Sequence, residues 1–125
     1  MRLQIIEGKF SACKVENLRA VNFNVPWLFV GKTDVEISVV YLTADVPHAT
    51  LAREDGWRAL RVAEPMNFGL TGVLAGISTV LAQAGISIFA VSTFDTDYIL
   101  IKGENLGLAQ SALEAGGYTI ENPVR

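Results

Sequence analysis

Residues 89–100, Phe-Ala-Val-Ser-Thr-Phe-Asp-Thr-Asp-Tyr-Ile-Leu, hold a polar cluster between two apolar runs. A hairpin needs only two turn residues, and a Thr-Asp pair supplies them. The hydroxyls of Ser92 and Thr93, the ring of Phe94 and an additional carboxylate are then in surplus. Asp95 and Asp97 stand two residues apart, yet general acid–base work needs a matched partner, and no histidine, cysteine or lysine accompanies them. A hard-cation site wants more oxygen ligands than these aspartates provide. Neither a catalytic residue, a metal nor another cofactor is expected. Gly69-Leu70-Thr71-Gly72 lacks the spacing and the lysine of a phosphate loop.

Binding is the remaining chemistry. The stretch Asn67 to Gly72 leads into a helix that begins near Leu70. Unpaired N–H groups at a helix start favour a carboxylate, and glycines at 69 and 72 let a ligand approach the main chain. Asp95 or Asp97 would hold an ammonium. A carboxylate taken at one end and an ammonium at the other describe an amino-acid site. The competing reading is that Thr93, Asp95 and Asp97 only build the turn through side-chain to backbone bonds. The residues leave both readings standing.

The elements that must position this cluster are legible from periodicity. Leu70, Val73, Leu74, Ile77, Val80, Leu81 and Ala84 form one helical stripe over 70–84, ended by Gly85. The opposite face, Thr71, Gly72, Ala75, Gly76, Ser78, Thr79, Ala82 and Gln83, carries no charge and suits a protein interface better than water. A second helix follows, with Asn105 at its N-cap, Leu106, Ala109 and Leu113 on one side, and Gly116-Gly117 at its end. Leu81, Gly85 and Ile88 recur as Leu113, Gly117 and Ile120, so a helix running through glycine into a strand is used twice.

Trp57 to Val62 alternates as a strand, and residues 57–120 then read strand, helix, strand, hairpin, strand, helix, strand. That order is the ferredoxin-like split β-α-β of an α+β fold, an antiparallel sheet with its helices on one face. Residues 1–46 repeat it in shortened form. Strands are expected at Leu3–Ile6 and Lys9–Val15 around Glu7-Gly8, with a short helix near Val15 to Ala20. A hairpin over Phe29 to Val40 follows, in which Val35, Ile37 and Val39 alternate with Glu36 and Ser38 and Thr33-Asp34 mirrors Thr96-Asp97. The turn-rich stretch from Val46 to Gly56 separates a module over 1–50 from one over 51–125.

The totals narrow the class. A chain of 125 residues, 50% hydrophobic and 18% charged, folds as one compact unit or two small modules. A net charge of −3 with scattered Lys and Arg offers no basic field for nucleic acid or an anionic membrane. The lone Cys13 excludes an internal disulfide and reads as a buried strand thiol, and His48 after Pro47 reads as a surface residue. No charge occurs from Pro65 to Phe94, but the helical part would be about 22 Å long against a bilayer core of about 30 Å. A cytoplasmic protein outside the membrane is expected.

The segment from Met66 through Ile101 resembles an ACT domain. It is similar to the regulatory ACT modules of aspartate kinases and to small bacterial tandem-ACT proteins, which share an S-T-F/Y-x-x-D-x-I/L-L element, here Ser92 to Leu100. The resemblance implies two ferredoxin-like modules, the first abbreviated, and an amino-acid effector bound at a module interface. On that reading Thr71, Gly72, Val73 and Leu74 offer amides, while Phe89, Ala90 and Val91 offer a strand edge. Ser92, Thr93, Phe94, Asp95 and Asp97 complete the contacts. It further implies a homodimer whose ligand alters the packing of modules and thereby regulates a protein partner. A structural oligomerisation module without a ligand is the alternative.

Overall fold

The computed structural model describes residues 1–63 and 72–124. In chain order the elements are β1 (Arg2–Val15), β2 (Leu28–Lys32), β3 (Ile37–Leu42), β4 (Ala52–Val62), α1 (Val73–Gln83), β5 (Ile88–Ser92), β6 (Asp97–Lys102), α2 (Leu106–Ala115) and β7 (Thr119–Val124). Short 3-10 turns occupy Leu18–Ala20, Thr43–Asp45 and Gly103–Asn105. The chain is α+β and its packing forms two units, one of residues 1–7 with 58 onward (unit 1), the other of residues 8–57 (unit 2). The strands β1 and β4 contribute to both.

Unit 1 carries the helices. Its core joins Ile77 and Leu81 of α1, Ala109 and Leu113 of α2, and Leu3, Leu60, Ile99 and Ile101 of the sheet, all essentially inaccessible to water. The expected stripe of α1 is met from Val73 onward, with Val73, Leu74, Val80 and Ala84 packed at its margins. Leu70 lies outside the described residues. Both helices end alike. The Ile86 N–H reaches back to the Leu81 carbonyl and the Tyr118 N–H to the Leu113 carbonyl, each at 3.0 Å. Gly85 and Gly117, at φ of 77° and 96°, make those left-handed exits. The repeat seen in the sequence is thus a repeated helix stop. Asn105 takes the N-cap position of α2, but its side chain makes no capping bond. No helix among the described residues is long and apolar enough to cross a membrane.

The sheet of unit 1 runs β7-β1-β4-β6-β5. A split β-α-β would set β7 directly beside β4; here the first half of β1 lies between them. It pairs in parallel with β7, Arg2 opposite Thr119 and Leu3 opposite Ile120, so the sheet is not wholly antiparallel as expected. On its other side the Ala63 N–H bonds the Arg2 carbonyl at 2.9 Å, and Arg61 donates through Nε and Nη2 to Oε1 of Gln4. Residues 1–7, assigned from the sequence to the N-terminal half, therefore supply Leu3 and Ile5 to the C-terminal core.

The second strand expected after Glu7-Gly8 is a continuation of β1. Gly8 sits at φ 109°, and a Cβ there would come within 2.8 Å of Cδ2 of Leu42. Only glycine lets the strand kink through this point unbroken. In unit 2 the sheet order is β4-β1-β3-β2. That is the order last, first, third, second, which a split β-α-β sheet has, with 3-10 turns standing where its two helices would be. A smaller apolar cluster of Val15, Val21, Val39 and Tyr41 fills it, and Phe10 meets Trp27 edge to face at 6.1 Å between centroids. Val35, read as part of a strand alternation, lies in the turn before β3 and is 75% exposed. Cys13 is buried in β1, as its neighbours suggest.

Candidate functional site

The hairpin β5–β6 places Ser92 directly opposite Asp97. The Ser92 hydroxyl donates to Oδ1 of Asp97 at 2.6 Å, and Asp97 is 8% exposed, with Ser11 one of two buried polar residues among the described ones. Burying a carboxylate costs free energy unless it is hydrogen-bonded, and Ser92 supplies that bond. The turn itself closes through Thr93. Its N–H and its hydroxyl both donate to the Thr96 carbonyl, at 2.8 and 3.0 Å, while the Thr96 N–H donates to Oγ1 of Thr93 at 3.4 Å.

These bonds separate the cluster into two groups. Thr93 is consumed by the turn and Asp97 is held beneath it by Ser92. Asp95 is exposed, and Phe94 stands out at 81% exposure, so the ring and one carboxylate project beyond what the turn uses. β5 pairs only with β6 among the described residues, so Phe89, Ala90 and Val91 lie on the last strand of the described sheet. Open strand edges present main-chain donors and acceptors to a ligand or another strand.

Thr71 and the preceding residues 64–70 lie outside the described part of the chain. α1 starts from Gly72, at φ 79°, whose carbonyl accepts the Gly76 N–H at 2.8 Å. Among the described residues no side chain caps this end. The N–H groups of Val73, Leu74 and Ala75 precede the first intrahelical bond and point outward from the helix start, carrying the positive end of its dipole. Leu74 packs its side chain on the core, so only its amide remains to offer.

An open cleft of about 360 Å³ lies beside this helix start, lined by Met1, Gly72, Val73, Gly116, Gly117 and Tyr118. Gly72 and Val73 were expected there. The four others were missed: Gly116-Gly117 signalled only a helix stop, and the placement of Met1 depends on β1 pairing with β7. Tyr118 packs its hydroxyl against Gly76, where a Cβ would come within 2.9 Å. The hairpin residues 92–97 do not line this cleft. They reach the same end of the unit 1 sheet by another route, because the Thr96 hydroxyl donates to the carbonyl of Val62, the last residue of β4, at 2.7 Å.

With this geometry in hand, known proteins give a consistent answer. A sequence profile of the ACT domain matches residues 52–115, just over half of the chain. The chain belongs to the ACT domain family. Among solved structures, a protein from Agobacterium tumefaciens superposes with a TM-score of 0.87 at 25% identity, covering 99% of this chain and 94% of that one. The regulatory subunit of aspartate kinase from Thermus thermophilus, in its ligand-free form, shares the fold at a TM-score of 0.57 and 9% identity, covering 90% and 93%. The aspartate kinase of Synechocystis matches at 0.67 and 15% identity over 98% of this chain, which spans only 28% of the kinase. The likeness to regulatory ACT modules of aspartate kinases is thereby established.

Proposed function

We propose that this ACT-domain chain is a non-catalytic sensor of a free amino acid, built as two ACT modules with unit 2 the abbreviated one. It acts in the cytoplasm as a homodimer and regulates a partner protein through ligand-dependent packing. The observation that supports this most directly is a helix start with no side-chain cap among the described residues, with Gly72 and Val73 lining a cleft, at the sheet end that also carries the buried Asp97 and its partner Ser92. The amides of Val73 and Leu74 would take the α-carboxylate. Asp97 or Asp95 would take the amine, the edge of Phe89 and Ala90 would bond the ligand main chain, and Phe94 would close over it. Thr93 shapes the turn that presents these groups, and Thr71 would complete the helix entry.

A thermal-shift panel of the proteinogenic amino acids tests the reading, because a ligand that binds the native state raises Tm by mass action. A saturable rise for one amino acid, confirmed by calorimetry and lost in Asp97→Asn, is the expected result. No response to any of them rejects it.

A second reading has its own support. Ala75, Thr79, Ala82 and Gln83 of α1 are exposed and uncharged, and the Thr79 hydroxyl is turned back to the Ala75 carbonyl at 2.8 Å. This face suits a structural oligomerisation role with no ligand. Sedimentation showing a stable oligomer that no amino acid perturbs would favour it.

A further inference from the structure

The molecule contains two hairpins closed by the same turn. In β2–β3 the Thr33 N–H donates to the Glu36 carbonyl at 2.9 Å, and in β5–β6 the Thr93 N–H donates to the Thr96 carbonyl at 2.8 Å. In each the threonine hydroxyl also engages the turn backbone. The residue closing the turn is used differently. Glu36 turns its carboxylate along its own strand to Ser38. Thr96 sends its hydroxyl to a different strand, onto the Val62 carbonyl where β4 ends. The next position differs too: Ser92 faces Asp97, whereas Lys32 faces Ile37.

A turn already closed by Thr93 does not need the Thr96 hydroxyl. We propose that Thr96 is a positioning residue, tying the β5–β6 turn to the exit of β4 so that the neighbouring Asp97 carboxylate keeps the place that the ligand requires. This deepens the amino-acid reading above and rests on it. The hairpin β2–β3, lacking both this tie and a buried carboxylate, is not a second site, so one ligand binds per chain.

The test compares Thr96→Val, which keeps the shape and removes the hydroxyl, with Thr96→Ser, which keeps the hydroxyl, and with Glu36→Ala as the control in the other hairpin. Calorimetric titration uses whichever proteinogenic amino acid gives the largest thermal shift on the wild type. Expected are one ligand per chain, an affinity loss of about tenfold in Thr96→Val, and near wild-type affinity in Thr96→Ser and Glu36→Ala. Hydrogen exchange at the turn amides of Thr93 and Thr96 should also speed up in ligand-free Thr96→Val and recover in Thr96→Ser, a readout that needs no ligand. A Thr96→Val protein with a lower Tm but unchanged affinity and unchanged exchange at the turn would reduce Thr96 to a stability role and overturn the proposal. Two ligands per chain would overturn it as well. Should no amino acid bind the wild type, the sensor reading and this inference fall together, whereas unchanged affinity in Thr96→Val removes this inference alone.

Discussion

Units 1 and 2 share the order of first, third and second strands, but in unit 1 the start of β1 lies between the first and last strands, and the coverings differ. In unit 1 the crossovers are α1 and α2, each of three turns or so, and they close a core in which Ile77, Leu81 and Leu113 are wholly buried. In unit 2 the same crossovers shrink to the 3-10 turns Leu18–Ala20 and Thr43–Asp45, which contribute no buried residue. The sheet, then, can be built without helices, because cross-strand pairing and a smaller apolar cluster suffice. A helix start, with N–H groups that precede its first intrahelical bond, cannot, and this is why the candidate site is placed in unit 1.

That contrast can be broken at several points. The largest effect is expected from Leu81→Ala, which empties space in the helical core of unit 1 and should cost about 2–5 kcal/mol in urea unfolding. A loss under about 1 kcal/mol would mean that α1 is dispensable, as its counterpart in unit 2 is. Next, Ser11→Ala probes a polar device found only in unit 2. Ser11 is fully buried, donates to Oδ1 of Asp55 at 2.6 Å and lies 2.8 Å from Oγ1 of Thr43, while Arg53 Nε reaches the same Asp55 oxygen at 2.7 Å. Its single proton goes to Asp55, so Thr43 must donate to Ser11. Removing it should cost about 1–3 kcal/mol by denaturant titration.

Alkaline pH separates the units by their buried acids. Burial pushes the Cys13 thiol up, with the Arg53 charge opposing and Asp55 adding to the rise. It also pushes up the Tyr41 hydroxyl, against the pull of the Asn22 main chain. Both groups stay protonated in the folded chain at a pH where the unfolded chain has begun to release its protons. Stability should therefore hold below the ordinary thiol range and fall as pH climbs through and above it. In Cys13→Ala the onset of that fall should move toward the ordinary tyrosine range; an unchanged profile would show that the thiol plays no part. Smaller still, Thr33→Ala and Thr93→Ala each remove turn bonds and should cost about 0.5–1.5 kcal/mol apiece. Equal stability losses would confirm the repeat of the turn, while loss of ligand response in Thr93→Ala alone would sharpen the functional difference. Least of all, Arg2→Ala breaks an exposed pair with Glu121 at 3.2 Å and should cost at most about 1 kcal/mol, less at high salt.

Local pattern carried much of this architecture. The stripe from Val73 to Ala84 and the glycine exits of both helices were legible because helical spacing and the left-handed stop are properties of a few consecutive residues. A turn within Ser92 to Asp97 was legible for the same reason, but it closes through Thr93 around Phe94-Asp95 where the pattern suggested Thr96-Asp97, and its bonds fit the turn-building reading of Thr93. Asp97 could be named from its spacing, but not its burial, since only the register that sets it opposite Ser92 decides that. Thr96 was read only as a turn residue: nothing near it in sequence shows that the Val62 carbonyl accepts its hydroxyl.

By itself, then, the order of residues determined the two helices of unit 1, their glycine stops, the two hairpins and an α+β fold with an ACT-like element from Ser92 to Leu100. Tertiary structure alone decided that residues 2–6 enter between β4 and β7, that Met1 and Gly116-Gly117 line a cleft with Gly72, and that the Thr96 hydroxyl of one turn reaches the end of β4. The reason is the range of the forces involved. Helix periodicity, turn bonds and caps act over a few residues and leave a local signature, whereas strand insertion and the burial of a carboxylate depend on partners tens of residues away.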